Sequence, residues 1–391
     1  MFKAYHYRIY PNIKQQALIS DHINAVRFIY NLALDTKLTA YKFNKVNLSS
    51  FQLIKQLPDL KAYCTWLKDI NSQSLQASIK NLDTAFTKFY TKLNQFPKFK
   101  SKKTAKQSFH IPQNVTLKDN KLIIPKFKDG IPIKLHRQIK GIIKSATISK
   151  TSTNKFYVSI LCDTPDKPKL KPEINVNNTI GIDLGIKDFL ITSKGDKINN
   201  PKYLRKSESK LRYVQSKYSK NKGKRTKKKL NLIHEKISNQ RKDFLHKVST
   251  KLIRENQTIS LETLNVKGML KNHKLSKSIS DVSWGKFIDM LKYKAEWYGV
   301  NIIKIDRFAP SSKTCSNCGN INKELKLKDR EWRCINCGTH HDRDINAAIN
   351  IKTMGLTSIL SGTDRQNRNE LPLLKGVLTY EAHDISYAVD G

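Results

Sequence analysis

Four cysteines set the chemistry of the C-terminal third of the chain. Cys315, Cys318, Cys334 and Cys337 form two C-x2-C pairs, in C-S-N-C-G and C-I-N-C-G. Each pair can fold as a tight knuckle, and two knuckles close one tetrahedral thiolate site suited to structural Zn2+, with no position left open for a reactant. Gly319 and Gly338 follow the pairs and permit the positive backbone angle such knuckles need. Seven residues beyond the last cysteine stands Asp344, whose direction a rigid knuckle would fix. Two more acids lie in apolar surroundings: Asp183 in T-I-G-I-D-L-G and Glu262 at the end of T-I-S-L-E. A carboxylate in such a place is costly unless it is paired or holds a metal. Taken singly, each acid also reads as a cap or a salt-bridge partner, and Asp344 before I-N-A-A suits an N-cap.

The elements that must carry these residues follow from periodicity and turn signals. A strand at 1–10 ends at Pro11-Asn12, which open a helix with apolar residues at helical spacing from Gln15 to Leu34. A second helix covers 71–94, with Leu75, Ile79, Leu82, Phe86, Phe89 and Leu93 on one face and Gln76, Lys80 and Lys88 on the other. After a basic stretch at 97–106, six short alternating segments between 108 and 161, punctuated by Asp119-Asn120 and Asp129-Gly130, predict a small β-barrel completed by the N-terminal strand. Residues 163–173, rich in Pro and Lys, read as a linker. Two apolar strands span 179–193, and a long basic helical region runs from 203 to 256. Its middle, Lys217 to Lys229, carries eight Lys or Arg and no acid, a solvated hairpin tip that can also grip phosphates. Strands at 258–262 and 301–306 flank a loop at 264–270, a polar stretch at 269–280 and a helix at 283–298; a last helix begins near Asp344, and its pattern fades after about 356. An Asp on one strand, a Glu ending a later one and an Asp opening a final helix is the order of a ribonuclease-H-like sheet. Three carboxylates brought together there could hold two Mg2+ or Mn2+ ions about 3.5–4 Å apart for phosphodiester hydrolysis.

Composition points to the same class of partner. The chain of 391 residues carries 73 Lys and Arg against 32 Asp and Glu, a net charge of +41. That excess exceeds what solubility asks for and suits a polyanion, nucleic acid first. No run of about 18 apolar residues offers a membrane span, and the start reads as a strand rather than a signal core. Six cysteines, four of them in the knuckles, suit a reducing compartment, with Cys64 and Cys162 read as core residues.

The stretches Y-R-I-Y-P-N, V-R-F-I-Y-N, K-L-I-I-P-K, G-I-D-L-G-I-K-D-F, L-E-T-L-N-V, S-W-G-K-F, A-P-S-S-K-T-C-S-N-C-G and D-R-D-I-N-A-A-I-N-I together resemble the TnpB proteins of IS200/IS605-type insertion sequences, relatives of compact type V CRISPR effectors. The resemblance covers about 1–356. It implies an α+β multidomain protein: a wedge β-barrel at 1–10 and 106–163, a helical recognition domain at 11–105 and a linker at 164–178. A RuvC-type nuclease domain at 179–312 and 340–356 then carries an inserted zinc ribbon at 313–339, with a loosely ordered tail at 357–391. It further implies an RNA-guided DNA endonuclease, in the bacterial or archaeal cytoplasm on DNA. Such a protein acts as a monomer with one noncoding RNA on double-stranded DNA beside a short motif. By motif, Asp183, Glu262 and Asp344 become the Mg2+-binding catalytic triad and the four cysteines the zinc ligands. Gln76 becomes a candidate for the motif-bearing duplex, with a solvated Gln76 as the alternative; Lys80 on the same helix face, and Lys222, Lys224, Arg225 and Lys227 in the basic run, read from charge as phosphate contacts. Arg307 reads either as an active-site contact or as a salt-bridge partner. Thr263 stands where the family commonly has an acid or amide. Two other functions compete: an RNA-guided binder that has lost cleavage, and a strand-transferring transposase.

Overall fold

The computed structural model describes residues 1–326 and 328–360, which divide into two compact units, Met1–Lys167 and Pro168 onward. The division falls inside the stretch 164–178 read as a linker.

The first unit opens with strand β1 (Phe2–Ile9) and one long helix, α1 (Ile13–Asn44). Asn12 and Gln15 form a capping box that starts α1, and Lys45 ends it in the left-handed conformation. Helices α2 (Ser50–Lys55) and α3 (Leu57–Tyr63), a 3-10 turn at Thr65–Asp69 and helix α4 (Ser72–Tyr90) complete a helical layer. Only α1 and α4 were predicted here. α4 stops at Tyr90, so Leu93 lies outside it and is exposed rather than on its buried face. The strands β2 (Ser108–Ile111), β3 (Thr116–Lys118), β4 (Lys121–Ile124), β5 (Phe127–Lys134), β6 (Ile142–Lys150) and β7 (Phe156–Asp163) follow. They join β1 in a seven-stranded antiparallel sheet of order β2-β6-β7-β1-β5-β4-β3. One apolar core gathers residues from both ends of this sheet, Phe109 and Leu122 among them. The hydrogen-bonded ladder runs from β2 to β3 without pairing the two, so the expected barrel is not closed by backbone bonds there. The first half of α1 (Ile19, Ile23) packs into the sheet core, and its second half (Ile29, Leu34) into the helical core.

The second unit is built on β8 (Thr179–Asp183), β9 (Asp188–Thr192) and β10 (Lys197–Asn199), followed by helices α5 (Tyr203–Lys206), α6 (Glu208–Asn221) and α7 (Lys224–Glu255). Then come β11 (Thr258–Glu262), α8 (Val266–Met269), α9 (Ser276–Val282), α10 (Trp284–Tyr298), β12 (Asn301–Ile305), β13 (Glu331–Arg333), β14 (His340–Asp342) and α11 (Arg343–Leu360). The sheet order is β10-β9-β8-β11-β12, with β8, β11 and β12 parallel and β9 and β10 antiparallel. α8 and α9 replace what reads as loop and polar linker; the buried Ile279 and Val282 anchor α9. The helix α11 runs to Leu360, past the predicted fading at 356, and the rest of the proposed tail lies outside the described residues.

α11 lies directly against the sheet because two glycines let it. A Cβ on Gly181 of β8 would stand 2.0 Å from the Ala348 carbonyl oxygen, and one on Gly355 would stand 2.2 Å from Ser260 Oγ. Ser260 instead donates to the Ile351 carbonyl at 2.7 Å, buried. This contact sets the first turn of α11 over the ends of β8 and β11.

Candidate functional site

Asp183 and Glu262 are the last residues of parallel neighbours. The register pairs Ile182 with Leu261, so the two acids follow side by side at the C-terminal edge of the sheet. Asp344 comes from the first turn of α11 and is not its cap. Asp342 does that, accepting from the backbone N–H groups of Asp344 and Ile345 at 3.0 and 3.1 Å. Burial pushes the Asp342 carboxyl up, but a 2.5 Å ion pair with Lys197 and the N–H of Ile345 outweigh it and hold the acid below its usual range. The Asp344 side chain is thereby left to face the strand ends.

The three acids feel one another. Burial, then the charges of Glu262 and Asp344, push the Asp183 carboxyl from 3.8 to about 7, against the Leu184 backbone N–H and the Arg343 charge. Arg330 reaches Asp344 at 3.6 Å. Glu262 accepts a 2.5 Å hydrogen bond from the Ser311 hydroxyl, which is buried. The arrangement is an anionic cluster whose repulsion a divalent cation would relieve. Its donors are all hard carboxylate oxygens, which fit Mg2+ or Mn2+. Arg307 is elsewhere: it is exposed, with its guanidinium 5.2 Å from the Phe308 ring. Among the described residues it forms no salt bridge. The arginines whose charge reaches the acids are Arg330, at Asp344, and Arg343, at Asp183.

The four cysteines converge. Their sulfurs all lie within 4.8 Å of one another, the one group of His, Cys, Asp or Glu among the described residues to meet that spacing. The carboxylates are set wider. The two knuckles repeat one pattern: Gly319 N–H donates to the Cys315 carbonyl and Gly338 N–H to that of Cys334, both at 2.9 Å, with positive φ at both glycines. Burial pushes the Cys315 thiol up to about 12, while the hydroxyl and N–H of Thr339 bring Cys337 down to about 5. Thiolates in this geometry fit Zn2+. His341 adds a neighbour that spacing did not reveal. Its Nε2 lies 3.0 Å from Cys315 Sγ and its ring packs on Trp332 at 4.7 Å. The second knuckle sits within the β13–β14 hairpin, and β14 runs straight into α11. Residues 340–342 pair with 331–333 in this hairpin.

In the first unit, Gln76 and Lys80 line a cleft of about 460 Å3 between α4 and the end of β2, with Gln73, Asn81, His110 and Gln113. A neighbouring hollow of about 380 Å3 shares Asn81 and His110 and adds Lys100 and Lys106. Burial lowers Lys100 to about 8. In the second unit, Lys222 ends α6 in the left-handed conformation, and Lys224, Arg225 and Lys227 begin α7. Lys222 and Arg225 lie among largely solvent-facing neighbours on this tip.

The chain as a whole matches known proteins. A family model described as "Probable transposase" (OrfB_IS605) matches residues 159–273, and a "Cas12f1-like, TNB domain" model matches 284–351. A "Putative RNA-guided DNA endonuclease" of Streptomyces pristinaespiralis is 36% identical over 370 residues, covering 92% of this chain and 91% of the relative. The chain belongs to the TnpB/OrfB family of IS605-type elements. This TnpB-family chain is also 28% identical to "Putative RNA-guided DNA endonuclease InsQ" of Escherichia coli K12, over 92% of the chain and 94% of the relative. Its fold resembles that in "Cryo-EM structure of the Cas12f1-sgRNA-target DNA complex", with a TM-score of 0.54 at 15% identity, over 86% of this chain and 82% of that one. A "Helix-turn-helix domain" model matches residues 1–45, yet in this TnpB-family chain those residues form a strand and a single helix.

Proposed function

We propose that the protein is an RNA-guided DNA endonuclease of an IS605-type element, cleaving by Mg2+-dependent phosphodiester hydrolysis at Asp183, Glu262 and Asp344. The observation that carries the reading is the meeting of these three acids, with Asp183 raised to about 7 by burial and by the other two charges. The sheet order, with the helix bearing the last acid laid on β8, supports a RuvC-type, ribonuclease-H-like nuclease domain. Its relatives of similar length carry the endonuclease name.

In this reading Asp183 and Glu262 present oxygens from adjacent strand ends, and Asp344 closes the set from α11. When bound, divalent ions supply Lewis acidity at the scissile phosphate and lower the pKa of water. The water oxygen bonds to phosphorus, the P–O3′ bond breaks, and a proton ends on the released 3′ oxygen. Arg330 balances charge beside Asp344 until substrate arrives. Cys315, Cys318, Cys334 and Cys337 hold one structural Zn2+, and the ribbon they close contacts target nucleic acid.

A +41 chain needs mostly backbone contacts if pairing with RNA chooses the sequence. The cations at Lys222, Lys224, Arg225 and Lys227 suit that task. The amide-lined cleft of Gln76 and Lys80 suits a duplex carrying a short adjacent motif, since an amide can pair with adenine in the major groove. The first unit then comprises the wedge sheet and the helical recognition layer, and the protein works as a monomer with one guide RNA. The test is purification with the co-expressed RNA, followed by incubation with a plasmid bearing the matched target and Mg2+. Linear plasmid is the expected product. Tight binding without cuts, or joined element ends, would overturn the reading in favour of a binder or a transposase.

A further inference from the structure

The loop between β12 and the first cysteine is held to α11 by two buried asparagines. Asn350 Nδ2 donates to the carbonyls of Ser311 and Thr314 at 2.7 and 2.6 Å. Asn346, one helical turn earlier, donates to the Thr314 carbonyl at 2.7 Å and accepts from the Ser316 N–H at 2.9 Å. Both residues are at most 5% exposed, and the Asn350 bond to Ser311 is fully buried, so a lost partner is costly. Asp344 lies two residues before Asn346 on the same helix. One rigid stretch of α11 therefore fixes Asp344 and the backbone of 311–316 together. The product of that clamp is the Ser311 hydroxyl, 4% exposed, donating to Glu262 Oε1 at 2.5 Å.

We propose that Ser311 is a positioning residue for the carboxylate site, held by the Asn346–Asn350 clamp: its hydroxyl occupies Oε1 of Glu262, fixes the rotation of that carboxylate and leaves Oε2 as its metal-facing oxygen. The argument is geometric. An ionised carboxylate at a strand end turns about its last bond, and a terminal sp3–sp2 torsion has a broad minimum that a single charge-assisted bond can fix. Ligands oriented in this way typically lose roughly 10- to 100-fold in metal affinity when the orienting group is removed. Asn346 and Asn350 do not touch Glu262 and act only by placing Ser311. The same loop runs on into Cys315, so the zinc knuckle and the acid site share one support.

This inference rests on the reading of Asp183, Glu262 and Asp344 as divalent-ion ligands, and its test needs no nucleic acid. Mn2+ binding to the zinc-loaded full chain is followed by electron paramagnetic resonance for wild type, Ser311→Ala, Ser311→Thr and Asn350→Leu, with zinc content measured alongside. Expected is a dissociation constant for Mn2+ roughly 10- to 100-fold weaker in Ser311→Ala at unchanged zinc content, and weaker also in Asn350→Leu, with near wild-type binding restored by Ser311→Thr. Unchanged binding in Ser311→Ala would overturn the proposal. So would loss of zinc from Ser311→Ala, which would make the hydroxyl a support of the knuckle alone, and so would absence of Mn2+ binding to wild type. Wild-type Mn2+ binding without cleavage of matched plasmid would leave the positioning role standing and defeat the endonuclease reading.

Discussion

Replacing Asp183 by Asn removes one charge from the proposed catalytic cluster and should stabilise the protein while abolishing cleavage. Without Mg2+, the folded chain holds the Asp183 carboxyl at about 7 instead of 3.8, through burial and then the charges of Glu262 and Asp344. Holding the carboxyl there costs at most about 4 kcal/mol, and structural relaxation brings this to about 2–4 kcal/mol. Between about pH 4 and 7 the native state keeps a proton that the unfolded chain has released. This group therefore lowers stability as pH rises through that window and costs its full amount above it. The Asp183→Asn variant would carry no such slope. The stability difference between Asp183→Asn and wild type, from urea unfolding of zinc-loaded protein without Mg2+, should be near zero at about pH 4 and fully developed in the mutant's favour by about pH 7.5. Saturating Mg2+ should then stabilise wild type alone, by about 2.7 kcal/mol at roughly a hundred times the dissociation constant. A mutant less stable than wild type above about pH 7, or a difference independent of pH, would refute the reasoning.

Three further outcomes follow from the same geometry. Joint replacement of Lys222, Lys224, Arg225 and Lys227 by Ala should lower the salt dependence of RNA binding by a slope of about 3, at about 0.7 per phosphate contact, as read from affinities across a salt series. Gly181→Ala would drive a Cβ to 2.0 Å from the Ala348 carbonyl oxygen and lift α11 from β8. About 3 kcal/mol of stability should be lost, measured by urea unfolding, and cleavage should fall because Asp344 moves with the helix. Cys334→Ser should abolish zinc retention, measured by metal analysis, and should weaken Mn2+ binding as well, because β14 joins the ribbon directly to α11.

The parts of the fold that were legible in sequence are those written in local pattern. The apolar runs at 179–183 and 258–262 are strands because both faces are buried, and each ends at its acid because the chain leaves the core there. The C-x2-C spacing shows the sulfur cluster, since each knuckle is closed by bonds within six residues. The helices α2, α3 and α9 were missed because each buries one or two side chains and so lacks a period to read. Closure of the first sheet could not be read, because it depends on whether the edges β2 and β3 meet. Ser311, Asn346 and Asn350 work through bonds spanning 30 to 49 residues, and such pairings leave no spacing signal. The same holds for Arg330, whose partner Asp344 lies across the second knuckle. The N-cap is Asp342, whose carboxylate accepts from the N–H groups two and three residues on, and D-R-D-I-N offers two acids among which spacing alone does not choose.

The most direct measurement is anomalous diffraction from crystals soaked in Mn2+, which locates the ions without reference to activity. The account predicts Mn2+ peaks among the carboxylates of Asp183, Glu262 and Asp344, a pair about 3.5–4 Å apart when substrate is bound. Mn2+ found only at other carboxylates, or these three acids without a peak at saturating Mn2+, would contradict it.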